Sequence, residues 1–407
     1  MRRFARTGLT ACVCAPLFLA VTSAEPLSGD DPRIIAFETR LMDREARGNP
    51  DAARRTIEEA LAIHHVPGAA VAIIEDGKIV WAKGYGTRLA GEDMPIDGET
   101  VFSAGSISKM INAGIILRMV DEGLLDLDRD VNDYLTSWKV EDSAFTAEKK
   151  VTLRMILSHT AGFSIHGFPD FEPGEELPSA LQTLNGEPPA KQGPVRLIFT
   201  PGERMQYSGG GITVSQVLIE DVTGLSYPEA ARKYVLDPLG MTRSTFVNPL
   251  PATHGNIARA HDRYGVPAAL PRGWEAMPEL AASGLWTSAE DMARFVIALE
   301  ESTNGEGDFL STDLAQDMMT RVPMSWHGLG PRLNGEGETR VFHHGGANTS
   351  YRAHMEGHLA SGDGIIILTN STNGRAAWRE IRKSAEEAFD WPVTAETGFE
   401  EPSFEGQ

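Results

Sequence analysis

The sequence predicts an α+β fold, in which an antiparallel β-sheet is flanked by helices and carries an inserted, mostly helical lobe. Two β-rich runs near the start, 69–75 and 78–85, are separated by Asp76-Gly77, a strong signal for a hairpin. Strand-like runs return only near the other end of the chain, at 340–344, 351–358 and 364–369. The simplest architecture therefore pairs the N-terminal and C-terminal strands in one sheet.

Helical periodicity dominates the chain between these strands. From Ser106 to Glu122, apolar residues recur three and four positions apart, and Gly123 follows as a C-terminal stop signal. Further helices are predicted at 34–63, 153–159, 210–223, 288–302 and 376–389. Residues 164–200 are rich in Gly, Pro and Glu, which predicts a long surface excursion. The pattern leaves open whether this excursion covers a cleft.

The two ends of the chain are predicted to lie outside the folded domain. Residues 1–24 combine a basic start, an apolar run too short to span a bilayer and small residues suited to cleavage, as in a secretory signal. We therefore expect an exported, periplasmic or extracellular protein. A single domain is predicted over 25–393, with the sheet part at 34–105 and 305–393 and the helical lobe at 106–304. An acidic tail follows over 394–407.

Composition narrows the classes of partner. The chain has 37 Lys and Arg against 57 Asp and Glu, a formal charge of −20, whereas nucleic acids and anionic membranes require a basic face. The same balance disfavours a strongly anionic substrate. Both cysteines, Cys12 and Cys14, lie in the predicted signal, so the mature chain is expected to have no disulfide and no thiol nucleophile. After the signal, no apolar stretch is long enough for a transmembrane helix. The oligomeric state stays open.

The only S-x-x-K motif joins Ser106 and Lys109. On a helix, this spacing puts both side chains on one face, one turn apart. A serine at a helix start lies beside unpaired N–H groups that suit an oxyanion, and a neighbouring amine can take the hydroxyl proton. The structural alternative is a helix-capping serine with a solvated lysine. The strongly apolar helix favours an active-site role, because a buried lysine needs a partner.

A second candidate is Tyr207, which precedes Ser208-Gly209-Gly210-Gly211 at the mouth of a predicted helix. A tyrosine beside a cation can relay a proton, and the alternative is a tyrosine packed against a glycine-rich turn. The glycines do not indicate a phosphate cradle, because no G-x-x-x-x-G-K accompanies them.

Histidines cluster late in the sequence. Adjacent His343 and His344 end a predicted strand, where they must point to opposite faces. His354 and His358 share a strand face but lie too far apart for joint metal ligation. With no H-E-x-x-H and no C-x-x-C, neither a metal nor a cofactor is predicted. His159 is interpreted as an ordinary helix-end residue.

Taken together, Ser106-x-x-Lys109, Tyr207 and His344-Gly345-Gly346 resemble, in order and spacing, the serine β-lactamase and penicillin-binding-protein superfamily. The class C-like branch, with D,D-carboxypeptidases, D-aminopeptidases and family VIII carboxylesterases, is the most similar. The resemblance extends from about Arg55 to Asp390 and includes family-like stretches at 66–68, 152–162, 201–203 and 284–288. It implies a β-lactamase/transpeptidase-like fold.

The resemblance also implies roles for individual residues. Ser106 would be the nucleophile that forms the acyl-enzyme, while Lys109 and Tyr207 would handle its proton and later activate water. His344, Gly345 and Gly346 would lie on the strand that lines the cleft. The backbone N–H groups of Ser106 and Ala347 would form the oxyanion hole.

Two departures from the family pattern bear on the substrate. Gly209 stands where the family's Y-x-N motif has Asn, and glycine cannot replace the amide hydrogen bonds. His344-Gly345 replaces a Lys-Thr pair, so that Arg352 or Arg340 would have to restore the charge that anchors a substrate carboxylate. Asn348 is a further candidate for substrate binding. Both changes disfavour efficient β-lactamase activity and favour an esterase or a peptidase with another anchor. Together with the predicted signal, they lead us to expect a secreted, esterase-like or small-amide serine hydrolase acting on ester, amide or peptide substrates. The alternatives are a D,D-peptidase or D-aminopeptidase, a weak β-lactamase, and, in another class, a catalytically silent binding protein.

Overall fold

The computed structural model describes residues 26–43 and 52–392, so the predicted signal and the acidic tail lie outside the described residues. Six strands form one antiparallel sheet in the order β2-β1-β8-β7-β6-β5, and β3 pairs with β4 separately. Their bounds are β1 Gly68–Glu75, β2 Lys78–Gly86, β3 Phe102–Ser103, β4 Trp286–Thr287, β5 Arg332–Asn334, β6 Val341–Asn348, β7 Tyr351–His358 and β8 Asp363–Thr369.

The pairing of β1 with β8 confirms that the two ends of the chain share one sheet. Alternate residues of β1 pack into different cores, with Ala70 and Ala72 on one side and Val71 and Ile73 on the other. Because both faces are covered, β1 has the continuous apolar sequence of a fully buried strand. The fold is therefore the antiparallel sheet between helical layers that the sequence predicts.

The helices occupy both sides of this sheet. One side is covered by α1, α2 and α11, and the other by α9 and the helices between β2 and β5. The bounds are α1 Pro32–Thr39, α2 Ile57–Ile63, α3 Ser108–Asp121, α4 Leu153–Leu157, α5 Ala180–Asn185, α6 Gly209–Thr223, α7 Tyr227–Ala231, α8 Leu280–Ser283, α9 Ala289–Asn304, α10 Thr312–Met318 and α11 Gly374–Ala388.

Three of the differences from the predicted boundaries affect the layers or the site. The stretch 34–63 is not one helix, because Leu41 and Arg55 pair as an extended bridge between α1 and α2. β6 continues to Asn348, since its partner β7 pairs with it as far as Tyr351. The regular helix α3 begins at Ser108, and Ser106 lies in a 3₁₀ turn, Gly105–Ile107, that leads into it.

The excursion 164–200 is mostly irregular and is anchored to the rest of the lobe. It contains the short helix α5, and its margins pair through Phe163 with Leu197 and through Phe171 with Ala276. In residues 26–43 and 52–392, no helix has both the length and the apolar character needed to cross a bilayer.

Candidate active site

Ser106 and Lys109 lie together where the 3₁₀ turn Gly105–Ile107 leads into α3. The Lys109 Nζ is 3.2 Å from the Ser106 Oγ and donates a second hydrogen bond to the Ala282 carbonyl at 2.7 Å. Only 2% of Lys109 is exposed, whereas Ser106 is partly open to the cleft. The carbonyl therefore holds the amine against the serine hydroxyl, which is the geometry that proton transfer requires.

Tyr207 lies at the mouth of α6, one residue before the helix cap. Ser208 accepts the Gly211 N–H at 2.9 Å, which fixes the first turn of the helix. The Lys109 Nζ is 4.8 Å from the centroid of the Tyr207 ring, close enough for a cation–π contact. The structure thus brings Ser106, Lys109 and Tyr207 to one cleft.

The backbone before Ser106 touches the backbone of β6. Gly105 has φ +51°, and a Cβ added there would meet the Ala347 backbone N at 2.6 Å. A Cβ at Gly346 would lie 1.9 Å from the Ala104 carbonyl oxygen. Two glycines therefore permit an approach that any side chain would prevent. The approach brings the amides of Ser106 and Ala347 to the same end of the cleft.

This approach makes Gly346→Ala a sharp test. The added methyl must push β6 away from Ala104, and we expect kcat to fall about 100-fold if both amides serve one oxyanion. The matched control is Gly345→Ala, whose Cβ would meet only the Ala353 carbonyl, at 3.8 Å. We expect both variants to fold, as measured by thermal unfolding, and only Gly346→Ala to lose most of its kcat. Equal kcat values for the two variants would contradict this account.

His344 lies behind Tyr207 and is 1% exposed, while His343, Gly345, Gly346 and Ala347 line the cleft. The ring centroid of His344 is 6.3 Å from that of Tyr207. Its Nδ1 donates to the Gly345 carbonyl at 2.7 Å, which leaves Nε2 as an acceptor, buried and without a partner in the described part of the chain. Burial, followed by Arg332 and Lys109, holds the pKa of His344 well below its usual range. A neutral imidazole therefore stands at this position.

Two more buried histidines, which the sequence analysis missed, pack around Tyr207. The ring of His159 is 4.2 Å from that of Tyr207 and 4.9 Å from that of His327. The His159 Nδ1 accepts the Ser208 N–H at 3.2 Å, so His159 helps to orient the start of α6. His159 does follow the end of α4, as expected, but it also packs against Tyr207, which the sequence did not indicate. The position of His159 within the family-like stretch 152–162 was the one available signal, and His327 gave none.

Burial keeps these two imidazoles neutral as well. It lowers the pKa of His327 to about 3, with Arg332 adding to the effect, and it lowers the pKa of His159 well below its usual range. Besides these histidines, the basic side chains beside Tyr207 are those of Lys109 and Arg332, whose guanidinium carbon is 5.8 Å from the Tyr207 ring centroid.

The cleft itself has a volume of about 240 Å³ and a basic lining. Among the described residues that line it, four are basic and none is acidic; the four are Lys109, Arg332, Arg352 and Arg375. This lining differs in sign from the net charge of the whole chain, on which the expectation about anionic substrates was based. The potential inside a cleft depends on its nearest charges, whereas net charge sums over the entire surface.

The three candidate substrate anchors differ in their positions relative to the cleft. Arg352 lines the cleft, and its Nη1 donates to the carbonyls of Asn348 and, at 2.7 Å, Tyr351. Asn348 also lines the cleft, but its Nδ2 donates to the Ser103 hydroxyl at 2.6 Å. Arg340 is absent from the described lining and donates to the Met319 carbonyl at 2.9 Å.

The three glycines at the start of α6 accommodate the first part of the excursion. A Cβ at Gly209 would meet the Phe168 ring at 3.0 Å and the His166 carbonyl at 3.1 Å, and Gly211 faces Phe163 in the same way. The Gly209 N–H donates to the His166 carbonyl at 2.9 Å. Phe168 therefore crowds the space that a side chain at position 209 would use, and His166, Gly167 and Phe168 form a wall of the cleft.

The late histidines His354 and His358 bind a carboxylate. Their Nε2 atoms lie 3.0 and 2.9 Å from the two carboxylate oxygens of Glu356, which Arg382 also contacts. Within residues 26–43 and 52–392, no group of three or more His, Cys, Asp or Glu residues has the geometry to hold a metal ion.

Comparisons with known proteins agree on a family. The family model described as Beta-lactamase matches residues 53–388. Penicillin-binding protein 4 of Amycolatopsis lactamdurans is 27% identical over 235 residues, which cover 57% of this chain and 59% of that protein. The chain thus spans less than two thirds of the length of this curated relative.

Solved structures have the same architecture. The octameric penicillin-binding protein homologue from Pyrococcus abyssi aligns with a TM-score of 0.63 at 25% identity, covering 80% of this chain and 74% of that one. The D-amino acid amidase from Ochrobactrum anthropi SV3, solved with L-phenylalanine, aligns with a TM-score of 0.64 at 18% identity, covering 82% and 98%. The second likeness concerns the fold alone.

Proposed function

The chain belongs to the beta-lactamase family, and from that premise we propose that it is a serine hydrolase that forms a covalent acyl-enzyme on Ser106. The observation that carries the proposal is the 3.2 Å contact between the Ser106 hydroxyl and the buried Lys109 amine. A lysine is rarely buried without a reason, and a role of its amine as the base accounts for the burial of Lys109.

The proposed reaction has two steps. The Ser106 Oγ attacks the substrate carbonyl while its proton passes to the Lys109 amine, and the N–H groups of Ser106 and Ala347 receive the oxyanion. Tyr207 delivers a proton to the departing alkoxide or amine. The acyl group then remains bonded to the Ser106 Oγ as an ester. In the second step the Tyr207 oxygen takes a proton from a water molecule, whose oxygen attacks the acyl carbon. The acid is released as the Lys109 ammonium returns its proton to the Ser106 Oγ.

The wall of the cleft formed by His166, Gly167 and Phe168 supports an esterase-like or small-amide activity. Gly209 contributes no side-chain amide, and Phe168 crowds the space where one would project. An ester does not require that amide contact. With neutral His344 in place of a lysine, the cleft also lacks the fixed cation that a penicillin carboxylate would meet at that point.

A second candidate is a D,D-peptidase or D-aminopeptidase, and the basic lining favours the D,D-peptidase of these two. Arg332, Arg352 and Arg375 lie where an acidic group on the substrate would be attracted. A peptide that ends in a free carboxylate has such a group. Release of D-alanine from a D-Ala-D-Ala peptide is the measurement that separates this candidate from the esterase.

Substrate ranking tests the first candidate. We expect p-nitrophenyl butyrate to be cleaved faster than nitrocefin when each rate is divided by the uncatalysed rate, because the ester needs no contact at position 209. Both rates are measured after the active sites have been counted with a fluorophosphonate, read as an adduct by intact mass. The reverse ranking would contradict the importance of Gly209 and His344. Absence of both an adduct and any turnover would favour a silent binding protein.

A further inference from the structure

The turn between β6 and β7 lies directly after the Ala347 amide. Asn348 and Tyr351 pair across the hairpin, so Thr349 and Ser350 form the turn. β5 pairs with β6 only as far as His343, which leaves the segment that contains Ala347 with a strand neighbour on one side only. The position of that amide therefore depends on what holds the turn.

Asp170 holds the turn from the excursion. The Thr349 N–H donates to Asp170 Oδ2 at 2.5 Å, a charge-assisted hydrogen bond of short length. Asp170 lies two residues after Phe168, which is part of the wall of the cleft. It directly precedes Phe171, whose backbone exchanges two hydrogen bonds with Ala276 at 2.9 and 2.8 Å. The carboxylate is thus presented from a backbone segment that is itself fixed.

A second carboxylate holds the next residue of the same turn. The Ser350 hydroxyl donates to Glu275 Oε1 at 2.6 Å, and Glu275 is 9% exposed. Because Glu275 precedes Ala276, both carboxylates come from the two segments that pair at Phe171 and Ala276. Of these contacts, only the one from Asp170 is made to the main chain of the turn, so it acts on the strand directly.

We propose that Asp170 is a positioning residue for the oxyanion hole, and this proposal rests on the proposed function. By accepting the Thr349 N–H, Asp170 fixes the end of β6 and therefore keeps the Ala347 N–H aimed beside Ser106. The excursion then serves catalysis as a fixed brace between the lobe and β6. Asp170 itself touches neither Ser106 nor Lys109 by hydrogen bond or ion pair in the described chain.

The test compares Asp170→Ala, Asp170→Asn and, as a control, Glu176→Ala. Glu176 is an exposed carboxylate of the same excursion, so its loss removes an equal charge without releasing the turn. We expect Asp170→Ala to slow phosphonylation of Ser106 by a fluorophosphonate about tenfold and to lower kcat by a similar factor, with KM within about twofold. A misplaced oxyanion donor weakens the transition state more than substrate binding.

The Asp170→Asn variant distinguishes a positioning role of Asp170 from other roles. The side-chain oxygen of Asp170→Asn still accepts the Thr349 N–H, so this variant should return to within about twofold of the wild-type rate. Thermal unfolding sets an assay temperature at which all variants are folded. Wild-type rates in Asp170→Ala, or equal slowing in Asp170→Asn and Asp170→Ala, would overturn the proposal while the wild type still labels. Failure of the wild type to label at all would instead overturn the proposed function on which it rests.

Discussion

Ser106→Ala is expected to lower kcat/KM for an ester substrate by at least about ten-thousandfold. The substitution removes the atom that forms the acyl-enzyme, and groups that act as a unit lose most of their effect when one of them is lost. Lys109 keeps its hydrogen bond to the Ala282 carbonyl, so the cleft should keep its shape and KM should change little. The expected defect is therefore one of chemistry and not of binding.

The measurement is the mass of the intact protein after treatment with a fluorophosphonate. Wild-type protein should gain one adduct, and Ser106→Ala should gain none. Ser283→Ala is the matched control, because Ser283 lines the same cleft but its hydroxyl makes no hydrogen bond with the Lys109 amine in the described chain. This control should label fully. An adduct of unchanged yield in Ser106→Ala would rule out Ser106 as the nucleophile.

Glu356→Ala is expected to have the largest effect on stability, about 3–5 kcal/mol in the free energy of unfolding. Glu356 is fully buried in β7 and accepts from Arg382 on α11 at 2.6 and 2.7 Å, and from His354 and His358. Removing the carboxylate leaves a buried guanidinium with much of its compensation gone. Urea unfolding measures the loss.

Glu387→Ala is the control for this prediction. Glu387 lies on the same helix and pairs with Arg54 at 3.1 Å, but both side chains are more than a third exposed. A surface ion pair of this kind contributes at most about 1 kcal/mol. If the two variants lost equal free energy, the buried network would not be what holds α11 to β7.

The same network predicts a pH dependence of unfolding. Burial alone would raise the pKa of Glu356, but Arg382 and the two histidines outweigh it and hold that pKa well below 4.5. Since the folded pKa lies below the unfolded one, the contribution is present above about pH 4.5 and is lost as the pH falls toward the folded pKa. Glu356→Gln should therefore show a shallower loss of stability with acid than the wild type.

Much of the fold followed from patterns of short range. The Asp76-Gly77 hairpin and the apolar runs of β1 and β8 have periods that a strand imposes on its own sequence, and all three lie where they were predicted. Ser106 and Lys109 could be paired for the same reason, because three residues along a helix always lie on one face. The family resemblance, based on short motifs, was confirmed by the match over 53–388.

The surroundings of the site could not be read from the sequence. His159, His327 and Arg332 reach Tyr207 from separate loops and a short strand, and no periodicity relates segments so far apart in the chain. β5 was also missed, because a three-residue strand has too few positions to show alternation. Because the sequence does not show which residues are neighbours in space, His159 was interpreted as an ordinary helix-end residue.

The sequence by itself determined the long strands β1, β2, β7 and β8, the main helices and the pairing of Ser106 with Lys109, because each depends on residues a few positions apart. Tertiary structure alone decided that the cleft is basic in an acidic chain, that His344 is neutral, and that the glycines at 209–211 admit Phe163 and Phe168. Charge, burial and steric fit at a site depend on distances in space, and those distances are set only when distant segments pack together.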